Sequence, residues 1–116
     1  MLRSDPGNVN AMVDLGYAYL QTGDFNHAIE QFREVLRHDP NSAIAHYDLG
    51  LAFKQKDEIE AAKKELAEAV RLDPQLAEGH YTLGIANWQT GDFEETAKQM
   101  RAAIALRPDY AEPTTC

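Results

Sequence analysis

Apolar residues recur at helical spacing in six stretches of this chain. Three of them, Val9–Gln21, Ala43–Gln55 and Ala77–Gln89, alternate with three others, Phe25–His38, Ile59–Leu72 and Phe93–Leu106. In each, apolar positions return every three to four residues, the period of a half-buried helix. The pattern predicts six main helices in antiparallel pairs and no sheet. The punctuation between them agrees. Gly23 and Gly91 stop a first helix where a positive φ is wanted, and Asp57 takes that place in the middle pair. Pro40, Pro74 and Pro108 follow the second helices, which a proline cannot continue. Asn8, and Asn41 or Ser42, stand where N-caps are needed.

The pattern is itself periodic. Pro6, Pro40, Pro74 and Pro108 are each 34 residues apart. Aligned by that interval, Leu15-Gly16, Leu49-Gly50 and Leu83-Gly84 coincide, as do Ala18, Ala52 and Ala86. Thr22-Gly23-Asp24-Phe25 returns as Thr90-Gly91-Asp92-Phe93, and Asp39-Pro40 as Asp73-Pro74 and, with a change, Arg107-Pro108. A fixed period of this length marks a unit that buries its apolar face only by stacking on neighbours. Glycine inside a helix costs about 1 kcal/mol against alanine, so Gly16, Gly50 and Gly84 imply close approach of the paired helix. The alanines Ala18, Ala28, Ala52, Ala62, Ala69, Ala86 and Ala103 read the same way.

These residues resemble the tetratricopeptide repeat, whose 34-residue pattern carries Leu-Gly, an aromatic, Ala, Phe and a closing Pro. The resemblance implies an all-α fold, a right-handed α-solenoid of three helix-turn-helix units. The units would be 9–42, 43–76 and 77–110. Residues 1–8 would be the end of a preceding repeat, and 111–116 a truncated tail or the start of a following one. A segment of a longer repeat protein is therefore expected.

Charge and composition narrow the partners. The net charge is −8, spread as −3, −2 and −2 over the units. Nucleic acid, which calls for a basic stripe, is not expected. Nor is a membrane span, since no run of about 18 apolar residues is present. The one cysteine, Cys116, permits no internal disulfide and fits a reducing, cytoplasmic setting.

Catalytic chemistry finds no motif. The chain has no Gly-x-Ser-x-Gly, no phosphate loop and no His-Glu-x-x-His. His46 and His80 occupy equivalent positions and read as half-buried rings between helices. His27 and His38 show no evident partner, and no metal site is expected. Glu94-Glu95, and Glu58 with Glu60, are not arranged to share a proton. No enzyme activity and no cofactor are expected.

The resemblance places positions 2, 5, 6, 9, 12 and 13 of each unit on a concave groove. Candidate groove residues are Asn10, Val13, Asp14, Tyr17 and Gln21, then Tyr47, Asp48, Leu51 and Gln55, then Glu78, Tyr81, Thr82, Ile85, Trp88 and Gln89, with Leu20, Ile44 and Lys54 on the same stripe. Aromatics beside polar groups suit peptide recognition. Unit three has Asn87 where the others have Tyr19 and Phe53, and Trp88 follows one residue later. Trp88 either turns into the groove or repacks around Asn87. Co-chaperone members of the family grip a C-terminal carboxylate with a basic clamp. The clamp positions here hold Val13, Tyr17, Asp48, Glu78 and Thr82, so such a chaperone tail is not the expected ligand. A protein or peptide partner, apolar with basic residues, is expected instead. The alternative is a spacer or self-assembly segment without its own ligand. Met100, Ala103, Ile104 and Leu106 are expected to form an apolar end that self-associates.

Overall fold

The computed structural model describes residues 9–107. The expectations for 1–8, for Asn8 and for 108–116 lie outside the described residues. Within them the chain is all helix and turn: α1 Val9–Thr22, α2 Phe25–His38, α3 Ala43–Gln55, α4 Ile59–Leu72, α5 Ala77–Gln89 and α6 Phe93–Leu106. The pairs are α1 with α2, α3 with α4 and α5 with α6, and α2 also packs on α3 and α4 on α5.

One turn is built three times. The amide of Asp24 donates to the Tyr19 carbonyl at 2.9 Å, that of Glu58 to Phe53 at 2.8 Å, and that of Asp92 to Asn87 at 2.8 Å. This bond, closing five residues back, requires the residue before it to be left-handed. Gly23 and Gly91 sit at φ 85° and Asp57 at φ 69°. Asp24 and Asp92 then cap the second helices, accepting from the amides of His27 and Glu95 at 3.4 Å. Of the two cap candidates before α3, Ser42 is the cap, accepting from Ala45 N at 3.2 Å.

The helix-interior glycines are where the pairs close. A Cβ on Gly16 would stand 2.6 Å from the Phe32 ring, on Gly50 2.7 Å from Leu66, and on Gly84 2.9 Å from the Met100 methyl. The core of Ala28, Phe32, Leu49, Ala52, Phe53, Ala62, Leu66, Leu83 and Ala86 runs along these contacts. Ala18 departs from expectation. It is exposed, whereas Ala52 and Ala86 are buried. The reason is positional, because α3 and α5 each have a preceding second helix to pack on and no described element precedes α1.

Candidate protein-binding groove

The first helices make a continuous face. α1 touches α3 and α3 touches α5, while among the described residues no such contact joins α2 to α4 or α4 to α6. The array is therefore drawn together along its first helices and splayed along its second ones.

On that face the candidate residues separate by depth. Tyr17, Tyr81 and Trp88 are 50%, 39% and 61% exposed. Asn10, Asp14, Gln21, Gln55, Glu78 and Gln89 are also exposed, and Val13, Tyr47, Leu51 and Ile85 are half-buried. Asp48 and Thr82 correct the expectation of an open lining: each is only 7% exposed and lies below the surface. Their counterpart Asp14 stays exposed because it belongs to the first described helix. The Trp88 ring stands out into solvent, while Asn87 is 2% exposed, so the indole does not fill the place of the missing Tyr or Phe.

A cavity of about 280 Å³ opens between α1 and α3. Tyr17, Gln21, Leu51 and Gln55 line it, joined by Leu20 and Phe25. Phe25 is a residue that sequence reasoning missed. The signal was the apolar residue that opens every second helix, Phe25, Ile59 and Phe93.

The electrostatics are equally uneven. Burial pushes the Asp48 carboxyl up from 3.8 to about 6, with desolvation as the cause. Glu78 is not a bare carboxylate, since Arg107 Nη1 lies 3.4 Å from its Oε2. That pair was legible in the one unit whose Asp-Pro becomes Arg107-Pro108.

The histidines are structural ties. His46 meets Glu65 Oε1 through Nδ1 at 2.8 Å and the Pro40 carbonyl through Nε2 at 3.1 Å. His80 repeats this with Gln99 at 2.7 Å and Pro74 at 2.8 Å. Each ring thus joins the start of a first helix to its paired helix and to the preceding loop. The reading of His27 and His38 as partnerless is corrected. His27 Nδ1 lies 2.7 Å from Asp24 and its ring stacks on Tyr19 at 5.1 Å, and His38 reaches Glu34 at 3.4 Å. Among the described residues no group of three or more His, Cys, Asp or Glu is set to hold a metal ion. No described helix is long and apolar enough to cross a membrane.

The expected self-association residues divide as well. Ala103 is fully buried, a correction, because it faces the paired helix rather than solvent. Met100 is half-buried with its methyl against Gly84. Ile104 and Leu106 are exposed, and Phe93 joins them.

Known proteins place this arrangement. A family model described as TPR repeat matches residues 16–57 and 52–91, and one described as tetratricopeptide repeat matches 77–110. No curated relative matches the chain. A crystal structure of MamA is similar at a TM-score of 0.86 and 32% identity, over 91% of this chain and 62% of that one. MamA 41-end from Desulfovibrio magneticus RS-1 is similar at 0.81 and 25%, over 92% and 60%. The chain thus spans about three fifths of the MamA chains it matches. The second TPR of Spaghetti (RPAP3), bound to the HSP90 peptide SRMEEVD, shares the fold at a TM-score of 0.83 and 20% identity, over 85% and 92%. With six paired helices, three copies of one turn and family matches over most of its length, the chain belongs to the tetratricopeptide repeat family.

Proposed function

We propose that this chain is a protein-binding scaffold whose first-helix face holds an extended partner segment with apolar and basic side chains. The observation that carries the reading is the cavity between α1 and α3, in which Tyr17, Leu20, Phe25 and Leu51 offer apolar walls and Gln21 and Gln55 offer amides. Exposed Tyr81 and Trp88 lie further along the same row of helices. Large aromatics left in water beside polar groups are the usual anchors of peptide recognition. Asp14, and Asp48 at greater depth, favour a cationic guest. The RPAP3 repeat domain carries a peptide on the same fold, but the clamp positions here hold Val13, Tyr17, Asp48, Glu78 and Thr82. An acidic tail therefore has no cation to meet at those positions. No catalytic role is proposed.

Trp88 is the single tryptophan and reports directly. Titrating apolar-basic peptides should change its fluorescence, and binding should weaken as salt rises, since exposed charges are screened within about 8–10 Å at physiological strength. A Tyr47→Ala, Tyr81→Ala double variant should bind at least about tenfold more weakly, a loss of about 1.4 kcal/mol. Full affinity in that variant, or equal binding of SRMEEVD, overturns the reading.

The second reading is end-to-end stacking of copies, favoured by the exposure of Phe93, Ile104 and Leu106.

A further inference from the structure

A polar group buried without a partner is costly, and a ligand relieves that cost only where it reaches the group. Asn87 Nδ2 fails this condition. It is unpaired and closed to solvent, beneath an outer cavity of about 390 Å³ between α4 and α6, where the preceding unit has Phe53 under Arg33. Asp48 meets the condition. Among the described residues it is the one buried ionisable side chain, and no hydrogen bond or ion pair is made to its carboxyl. Asn87 Nδ2 is the one unpaired side-chain atom there that solvent does not touch. Both Asp48 oxygens therefore open to solvent, although the residue that carries them is only 7% exposed.

That opening belongs to the first-helix face. Asp48, Leu51 and Gln55 stand at i, i+3 and i+7 of α3, one stripe of the helix. Leu51 and Gln55 line the cavity between α1 and α3. At about 1.5 Å of rise per residue, Asp48 sits about 4.5 Å from Leu51 and about 10 Å from Gln55 along the axis, so about 7 Å from the middle of the cavity. The other units do not repeat this. Asp14 holds the same position in α1 and is exposed, and Thr82 holds it in α5 and is neutral. Glu78, a carboxylate further along the face, already lies 3.4 Å from Arg107. Burial pushes the Asp48 carboxyl up to about 6, so at neutral pH it is still an anion. The face thus carries one sunken anion with no counter-charge, beside one apolar cavity.

We infer that this face reads a two-point motif in its partner: an apolar side chain in the α1–α3 cavity and, two residues away, a lysine or arginine whose cation pairs with Asp48. The inference rests on the first-helix groove proposed above and adds the register of the partner segment. In an extended chain, side chains on one edge recur about every 6.6 Å, which matches the separation of cavity and carboxyl. Adjacent residues point to opposite sides, so a spacing of one fails, and a spacing of four overshoots at about 13 Å. A cation at Asp48 meets a carboxylate already stripped of most of its water. The pair is therefore worth more than one between exposed side chains.

The test is a double-mutant cycle between protein and peptide, read from the Gln21 and Gln55 side-chain amides by NMR in the full isotope-labelled chain. The probes are Ser-Ala-Leu-Ala-Lys-Ala-Ser with blocked ends, the same peptide in reverse order, forms with norleucine for Lys, and forms with Leu and Lys adjacent or four apart. The better of the two orders is expected to shift both amides with a Kd on the order of 1 mM or tighter. Norleucine for Lys should weaken binding about tenfold on the native protein and less than about threefold on Asp48→Asn. The adjacent and four-apart forms should bind at least about fivefold more weakly than the best peptide. Asp48→Asn keeps the shape of the side chain and removes an unpaired buried charge, so the variant folds. Asp14→Asn, at the exposed counterpart, should cost less than about threefold. No shift of either amide with any peptide overturns the inference, while a Trp88 fluorescence response to the same peptides would keep the groove itself. Equal binding of all the peptides, or an equal norleucine loss on Asp48→Asn, overturns the inference alone. So does an effect of Asp14→Asn as large as that of Asp48→Asn, which would make the attraction diffuse.

Discussion

Asp48 shows how one buried carboxyl couples the groove to pH. Its proton is held in the folded state up to about 6 and in the unfolded chain only to about 3.8. Between those values the native state binds the extra proton, so its stability falls as pH rises through the window. The penalty is absent below pH 3.8 and complete above about 6, with a ceiling of about 3 kcal/mol. Asp48→Asn should therefore stabilise the protein at pH 7.5 by about 1–3 kcal/mol and leave it nearly unchanged at pH 3.5. Urea midpoints of both proteins at the two pH values decide this, and the same gap at each would contradict it. A partner's cation beside Asp48 would remove the penalty, so a basic peptide gains affinity over the same interval.

At the scale of the element, the repeated turn offers a controlled comparison. A Cβ at Gly23 or Gly91 meets nothing within 4 Å, so substitution there tests backbone conformation alone. Gly91→Ala should cost about 1 kcal/mol through its positive φ. Asp57→Gly, in the same turn of the middle unit, should stabilise by up to about 1 kcal/mol, measured by the shift in urea midpoint. A loss of stability in Asp57→Gly would show that the aspartate side chain, not its strained backbone, matters there. The turn residues, the prolines and the period make the helix limits legible in the amino-acid sequence. Depth is not legible in the same way. Leu15 and Leu49 hold one repeat position, yet the first is exposed and the second buried. Burial is conferred by the neighbouring unit, which a single unit's pattern does not describe. The same reason puts Asp48 and Thr82 deeper than their stripe implies. The outer cavity, by contrast, is written in the departures, Asn87 for Phe53 and Ala67 for Arg33, which only the packing of three helices reveals as an opening.

For the whole molecule, the last unit repeats a contact surface that its predecessors use internally. Val70 packs on Gly79 at the start of α5, where a glycine Cβ would stand 2.9 Å from its Cγ1. Ile104 is the counterpart of Val70 and is exposed, and Ala11, the counterpart of Gly79, is exposed at the start of α1. A head-to-tail stack that sets one copy's Ile104 and Leu106 on the next copy's α1 is the expectation to test. Each such side chain contributes about 1.5–3 kcal/mol before association costs, which points to micromolar association. Sedimentation should show concentration-dependent growth, and Ile104→Glu should return the protein to monomer. A strict monomer at about 1 mM would contradict this, since that limit corresponds to less than about 4.1 kcal/mol of binding.

The contrast between touching first helices and separated second helices has a mechanical meaning. An array whose first helices touch and whose second helices stand apart is expected to resist extension along the first more than closure along the second. Bending is expected to concentrate in the clefts between second helices, where no described helix–helix contact must break. Whatever wedges such a cleft apart sets the curvature, and with it the width of the opposite face. In this chain the cleft between α4 and α6 holds a cavity of about 390 Å³, and a side chain lodged there would limit how far the last two units can flex.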